Sequence, residues 1–123
     1  MANRRMNLSG TGKETLDLLC EVLEIDRPQG VKIALAKGIA NATGKINDDF
    51  KDGKNKWTIP DNIIKDKEFL LFKHLIINEM QVALNEDEIT QSMLVYIEYG
   101  LKIIKQEIDN LSSLEDYRII VLN

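Results

Sequence analysis

Several residue types that carry chemistry are scarce in this 123-residue chain. It has one cysteine, one histidine, one tryptophan and two prolines. A single cysteine excludes an internal disulfide and fits a reducing compartment. His74 has no second histidine nearby, and no Ser/His/Asp, Cys/His or paired-carboxylate set stands out, so neither a metal site nor an acid–base pair can be assembled. We therefore expect a protein that is not an enzyme and has no metal or cofactor.

Long apolar runs are missing as well. No stretch approaches the roughly 18 apolar residues that a transmembrane helix needs. The opening Met-Ala-Asn-Arg-Arg has the charge of a signal peptide but no apolar segment follows it. The sequence therefore predicts a cytoplasmic protein without a membrane partner. Its hydrophobic fraction of 44% is sufficient for the core of one domain.

Charge is distributed unevenly along the chain. The formal net charge is −4, yet residues 1–60 contain 10 Lys and Arg against 8 Asp and Glu, whereas residues 61–123 contain 6 against 12. A local basic surface, rather than the net charge, decides whether a protein contacts phosphates. The first half is therefore the candidate for nucleic-acid contact, and the alternative is that its cations only solubilise the surface.

Residues 4–44 have the pattern of a strand, a helix, a turn and a second helix. Alternation places Met6 and Leu8 inward, and Ser9 has the side chain of a helix N-cap. An acidic stripe marks the outer face of the first helix. Asp26 or Arg27 is expected to cap the second helix, and Gly44 to end it. The acidic stripe comprises Glu14, Asp17, Glu21 and Glu24.

The remaining chain divides into a basic loop over 45–60, a buried helical hairpin over 61–111 and a C-terminal strip over 112–123. Asp61 or Asp66 is expected to cap a third helix. This helix is apolar on most sides and so predicted to be central, surrounded by other helices or by a partner subunit, with His74 at its boundary. Asn85 and Glu88 have capping-box spacing at the start of the fourth helix. The fold class is therefore mainly α: a small single domain over 1–123 with four to five helices, short extended N- and C-terminal segments and a ribbon-helix-helix-like N-terminal part.

Two positions in these elements carry specific expectations. Gly100 interrupts a regular apolar stripe in the fourth helix, at a cost of roughly 1 kcal/mol against alanine, which indicates that another backbone passes close by. Trp57 and Ile59 are expected to dock the basic loop on the core. The alternative for Trp57 is stacking on a nucleic acid, since Lys54 and Lys56 are its neighbours.

Residues 4–42 resemble ribbon-helix-helix DNA-binding proteins. Dimers of that family place a paired ribbon in the major groove and the start of the second helix on the phosphates. The resemblance implies that Arg5 and Asn7 face the groove and that Arg27 to Lys32 approach the DNA backbone.

A larger part of the chain is similar to the DndE family of the bacterial DNA phosphorothioation system. The similarity lies in the opening helix pair from Leu8-Ser9 to Leu35, in the segment 52–60 around Asn55-Lys56-Trp57-Thr58, and in the segments 69–72 and 96–104. Tyr96 and Tyr99 stand where a histidine and a basic residue are common in that family. The resemblance implies a helical homo-oligomer that binds duplex or nicked DNA and assists the other proteins of the DNA sulfur-modification complex.

The leading hypothesis is thus a non-catalytic DNA-binding accessory protein of phosphorothioation. The alternatives are a ribbon-helix-helix-like transcriptional regulator or antitoxin, and a protein–protein adaptor that does not bind DNA. An enzyme is the last alternative. The candidate DNA-binding residues are Arg4, Arg5, Lys13, Arg27, Lys32, Lys37, Lys45, Lys51, Lys54 and Lys56.

Overall fold

Four helices and a two-stranded sheet make up the computed structural model, which describes residues 6–42, 57–60 and 63–110. The order is β1 (Met6–Leu8), α1 (Gly10–Leu23), α2 (Arg27–Asn41), β2 (Trp57–Ile59), α3 (Asp66–Met80) and α4 (Glu86–Asn110). The mainly α fold is therefore confirmed. The predicted C-terminal strip lies outside the described residues.

The first two helices begin where the sequence predicts. The Ser9 side chain accepts a hydrogen bond from the Gly12 backbone N–H, at 2.9 Å between oxygen and nitrogen. Asp26 caps α2 by accepting from the Gln29 N–H at 3.1 Å. Satisfying these otherwise unpaired donors favours a helix start at each position. α2 ends at Asn41 with Ala42 as its cap, so the predicted stop at Gly44 is wrong by a few residues.

The close crossing of α2 and α4 is the centre of the fold. A Cβ atom on Gly100 would overlap the carbonyl oxygen of Ala34, and one on Gly38 would overlap the carbonyl oxygen of Tyr96. The two backbones therefore touch without intervening side chains, which confirms the prediction for Gly100. On the two helices, six apolar residues are fully buried: Val31, Leu35, Met93, Ile97, Leu101 and Ile104.

β1 and β2 form an antiparallel ribbon within the chain. Met6 pairs with Ile59 and Leu8 with Trp57. Leu8 and Ile59 are fully buried and Trp57 is half-buried against the core, so docking by Trp57 and Ile59 is confirmed. The sequence predicts a loop over 45–60, and its last residues form this strand instead, because the apolar Trp57 and Ile59 bracket an exposed Thr58 in strand alternation.

α3 is peripheral in the described part of the chain, so the prediction that other helices surround it is wrong, whereas cover by a partner subunit stays a prediction. Phe69, Phe72 and Ile76 are buried, but Leu70, Leu71 and Leu75 are 52%, 57% and 41% exposed. His74 is exposed rather than at a buried boundary. Only one face of the helix meets the rest of the protein, so a composition that is apolar all round does not place a helix at the centre.

The predicted cap of the third helix is wrong, whereas the predicted cap of the fourth helix is confirmed. α3 begins at Asp66 with Lys65 in the cap position, so the prediction of an aspartate cap at residue 66 is wrong; Asp61 lies outside the described residues. α4 has the predicted capping box. The Asn85 side chain accepts from the Glu88 N–H at 2.8 Å, and the Glu88 carboxylate accepts from the Asn85 N–H at 3.0 Å.

Candidate nucleic-acid interface

Four of the ten candidate DNA-binding cations lie in the described part of the chain: Lys13, Arg27, Lys32 and Lys37. Each forms an ion pair with a carboxylate. The remaining six lie outside the described residues, and these are Arg4, Arg5, Lys45, Lys51, Lys54 and Lys56.

Asp17 brings two of the cations together on the outer side of α1. Its carboxylate lies 3.4 Å from the Lys13 Nζ and 2.9 Å from the Arg27 Nε. The Arg27 guanidinium also stands 5.2 Å from the centroid of the Trp57 ring, within the range of a cation–π contact. The start of α2 is thereby joined to α1 and to the end of the ribbon through one charged cluster.

The other two cations join α2 to two different helices. The Lys32 Nζ lies 2.8 Å from a carboxylate oxygen of Glu68 in α3, and the Lys37 Nζ lies 2.9 Å from one of Glu107 in α4. Five residues turn an α-helix by about 140° beyond a full turn. Lys32 and Lys37 therefore leave α2 on different faces, and the structure does not gather the predicted α2 cations on one surface.

The positive excess of residues 1–60 does not lie in their described part. Residues 6–42 contain four cations and five carboxylates. The acidic stripe of α1 is on the outside as predicted, with Glu14, Glu21 and Glu24 exposed and Asp17 half-buried. The positive excess of residues 1–60 therefore resides in residues 1–5 and 43–56, which hold six cations and three carboxylates.

The outward face of the ribbon carries a cross-strand polar pair. The exposed Thr58 hydroxyl donates to the exposed Asn7 side-chain oxygen at 2.7 Å. Asn7 faces outward as predicted, because Met6 and Leu8 on either side of it are buried. In the sequence, Arg5 stands two positions before Asn7, and Lys56 two positions before Thr58.

A buried glutamate at the start of α1 was not predicted. Glu98 is 7% exposed, and its carboxylate accepts hydrogen bonds from the Ser9 backbone N–H at 3.1 Å and from the Ser9 hydroxyl at 3.0 Å. A Cβ on Gly12 would overlap the same carboxylate, so a side chain at this position requires the Glu98 carboxylate to move. The position of Glu98 in the sequence indicates its burial, because it falls between Leu94 and Leu101 at helical spacing on the buried side of α4.

Two other titratable groups are perturbed by their surroundings. Burial raises the pKa of the Cys20 thiol, and the neighbouring Asp17 carboxylate raises it further against the opposing effect of Arg27. Burial likewise raises the pKa of the Tyr96 hydroxyl, with an added contribution from Glu79. A thiol with a raised pKa is a poor nucleophile at neutral pH, so Cys20 has the character of a packing residue.

Within residues 6–42, 57–60 and 63–110, no group of three or more His, Cys, Asp or Glu side chains is arranged to hold a metal ion. None of the helices described is both long enough and apolar enough to cross a bilayer. In the comparisons with known proteins, no family model, no curated protein and no solved structure matches this chain.

Proposed function

We propose that the protein is a non-catalytic DNA-binding accessory protein that contacts duplex or nicked DNA through its two-stranded ribbon. The observation that carries the proposal is the exposed Asn7–Thr58 pair on the outward face of the ribbon. Amide and hydroxyl side chains are donors and acceptors for phosphates and base edges, and a two-stranded ribbon fits the major groove.

The sequence on either side of the ribbon supports the same surface. Arg4 and Arg5 come directly before β1, Lys56 comes directly before β2, and Lys54 precedes Lys56 by two positions. Because side chains alternate along a strand, Arg5 and Lys56 have the same parity as the outward pair Asn7 and Thr58. We propose that these cations supply the charge that holds the phosphates.

The ion-paired cations are secondary contacts in this proposal. Lys13 and Arg27 share Asp17, and their side chains are 36% and 44% exposed. An exposed ion pair contributes about 0.2–1 kcal/mol, so a phosphate can replace the carboxylate at small cost. Lys37, with 20% exposure and a partner on α4, is better suited to holding α2 on α4 than to binding DNA.

The assignment to DNA phosphorothioation is the finer part of the proposal. It rests on the sequence similarity to the DndE family, and it adds homo-oligomerisation and partnership with the other proteins of the sulfur-modification complex. We propose this role in the cytoplasm, without a catalytic step or a cofactor of its own.

Fluorescence anisotropy with labelled intact duplex, nicked duplex and single strand tests the proposal. If about six phosphates are neutralised, the affinity should fall about a thousandfold between roughly 50 and 200 mM salt. Tighter binding to nicked duplex would support the phosphorothioation role. Strong preference for one sequence over random duplex would favour the regulator instead, with Asn7 reading base edges, and a salt-independent affinity would overturn DNA binding through phosphates.

Charge-matched variants locate the surface. Replacing Arg5 and Lys56 by glutamine should lower the DNA affinity at least about tenfold, because two phosphate contacts are lost. The control replaces Lys102 and Lys105, exposed on α4, by glutamine and removes the same total charge. An equal loss in both variants would mean that only the overall charge of the protein matters.

A second pair of variants tests the secondary contacts. Asp17→Asn releases Lys13 and Arg27 from their shared carboxylate and should tighten DNA binding about two- to fivefold if these cations reach phosphates. Asp109→Asn makes the same charge change at the Lys105–Asp109 pair of α4 and serves as control. No gain beyond the control would remove Lys13 and Arg27 from the interface.

The adaptor is a second candidate because α3 exposes Leu70, Leu71 and Leu75 on one helix. Neighbouring apolar side chains on a surface mark contact sites for other proteins more often than isolated ones do. Absence of binding to all three DNA forms would leave the adaptor as the better account.

A further inference from the structure

A groove opens where α3 ends and α4 begins. α3 ends at Met80, Gln81 has left-handed backbone angles, and the chain turns into the cap residue Asn85 of α4. Val82 lies in this turn with 48% of its surface exposed. The apolar residues that line the groove are Met80, Val82, Ala83, Leu84, Val95 and Tyr96.

The polar part of the groove is acidic. Asp87 and Glu88 line it together with Gln91 and Ser92, and no Lys, Arg or His is among the described lining residues. Glu88 is held in the capping box by the Asn85 N–H. Asp87 at the groove and its sequence neighbour Glu86 are exposed, and neither forms an ion pair with another described residue.

The combination of lining and charge selects one kind of occupant. An apolar floor binds a row of apolar side chains, and an amphipathic helix provides such a row at spacings of three and four residues. The carboxylates at the edge attract Lys and Arg on the flanks of that helix and repel phosphates. Nucleic acids and anionic ligands are therefore poor candidates for this groove.

We propose that the groove formed by Met80–Leu84 and the first three turns of α4 is a docking site for a basic amphipathic helix of a partner protein. This site goes beyond the proposed DNA contact and does not depend on it. None of the four candidate DNA-binding cations in the described part of the chain lines the groove, and the two proposals are argued from different residues, so they fail independently.

Peptide titration of the full chain tests the site. The probe is a labelled synthetic peptide of about 16 residues, roughly four helical turns, with leucines on one face and lysines and arginines on the other. One comparison peptide has the same leucines with glutamates in place of the cations, and another has the basic composition in scrambled order. Fluorescence anisotropy should show saturable binding of the basic helix and at least about tenfold weaker binding of both comparison peptides.

Variants of exposed residues test whether the peptide binds in the groove or is only attracted to an acidic protein surface. Val82→Ser removes apolar lining, and Glu86→Gln with Asp87→Asn removes two charges while leaving the Asn85–Glu88 cap intact. Each should weaken the basic helix about fivefold or more. The charge-matched control is Glu14→Gln with Glu21→Gln on the outer face of α1, which should change the affinity less than about twofold.

Backbone amide shifts in NMR spectra provide a readout independent of affinity. Addition of the basic helix should shift the signals of residues 80–96 more than those of α1. Equal binding of the scrambled peptide, equal loss in the α1 control, or shifts centred outside residues 80–96 would each overturn the proposal. Sedimentation would also overturn the proposal if it showed that the protein is an oligomer and that Val82→Ser dissociates it. The groove would then lie in the interface between copies of this chain, where the peptide cannot enter.

Discussion

The contact of α2 with α4 and the contact of α3 with the rest of the protein represent opposite uses of hydrophobic residues. α2 contains several glycines and alanines, and it meets α4 backbone to backbone at Gly38 and Gly100. α3 has larger apolar residues, including Leu70, Leu71 and Leu75, yet these remain exposed. Close packing here depends on the shape of the facing surfaces rather than on apolar content.

This difference predicts a different local stability for each of the two regions. The α2–α4 crossing leaves no room to move, since both backbones and the surrounding side chains are buried. α3 is held by one buried face and by the Lys32–Glu68 ion pair. We expect α3 to open before the α2–α4 pair in native-state hydrogen exchange, because exposed elements with few buried contacts have low local stability.

The largest expected effect on stability comes from adding a side chain at Gly100, where α2 and α4 cross. Gly100→Val should lower the free energy of unfolding by at least about 4 kcal/mol, because the added carbon atoms meet the Ala34 carbonyl and the backbones must separate. Urea unfolding measures this value. Ala36→Ser, which adds one atom on the exposed side of α2, should stay within about 0.5 kcal/mol of the wild type. A small loss for Gly100→Val would show that the helices are not in close contact.

Neighbouring residues of α3 provide the next comparison. Ile76→Ala should cost about 2–3 kcal/mol, since Ile76 is fully buried and its removal leaves a cavity. Leu75→Ala, one residue away and 41% exposed, should cost less than about 1 kcal/mol. The two values come from the same unfolding assay at low protein concentration. A large cost for Leu75→Ala that grows with protein concentration would instead indicate a second copy on this face.

Loss of the hydrogen bonds between Glu98 of α4 and Ser9 at the start of α1 should have an intermediate effect on the free energy of unfolding. Glu98→Ala leaves the buried Ser9 N–H and hydroxyl without their acceptor, at a cost of about 1–3 kcal/mol. Ser9→Ala removes both the helix cap and one of these bonds, at about 1–2 kcal/mol. Because both variants disrupt the same contact, the double variant should lose less than the sum. Additive losses would show that Ser9 and Glu98 act separately.

The smallest effect is expected at the ion pair that links α2 to α3. The hydrogen bond from Lys32, aided by the Lys65 N–H, lowers the pKa of the Glu68 carboxyl. A lowered folded-state pKa stabilises the fold above the unfolded-state value, which is about 4.3 for glutamate, and this stabilisation disappears as the pH falls through the folded-state value. Glu68→Gln should therefore be slightly less stable than the wild type at pH 7 and equally stable in strong acid. A difference that persists in acid would point to a cause other than charge.

Local patterns allowed much of the fold to be predicted. Ser9 and Asn85 are predicted as caps, and Asp26 as a candidate beside Arg27, because each provides a side-chain acceptor just before an apolar helical stripe. Gly100 was correctly linked to a close backbone because a mid-helix glycine is otherwise a net cost. The strand Trp57–Ile59 was missed, since three residues give too short an alternation to separate a strand from a loop.

The candidate site was harder to predict because pairing across the fold is invisible in the sequence. Lys32 and Lys37 were assigned to one DNA-binding set, yet they pair with Glu68 and Glu107 on different helices. The burial of Glu98 is not evident from the residue type, since a single glutamate in a helix is usually solvated and its partner Ser9 is 89 residues away.

The sequence by itself determined the helical class of the protein, the starts of α1, α2 and α4, and the inward side of each of those helices. These properties follow from hydrogen bonds and periodicities that span a few residues. Only the tertiary structure decided that α2, with a glycine at the crossing, rather than α3 with its leucines packs tightly on α4. It also decided that a buried carboxylate joins α4 to α1, and that the four described candidate cations are paired. Those outcomes depend on which surfaces meet in space, and contact between distant residues is set by the shape and charge of whole faces.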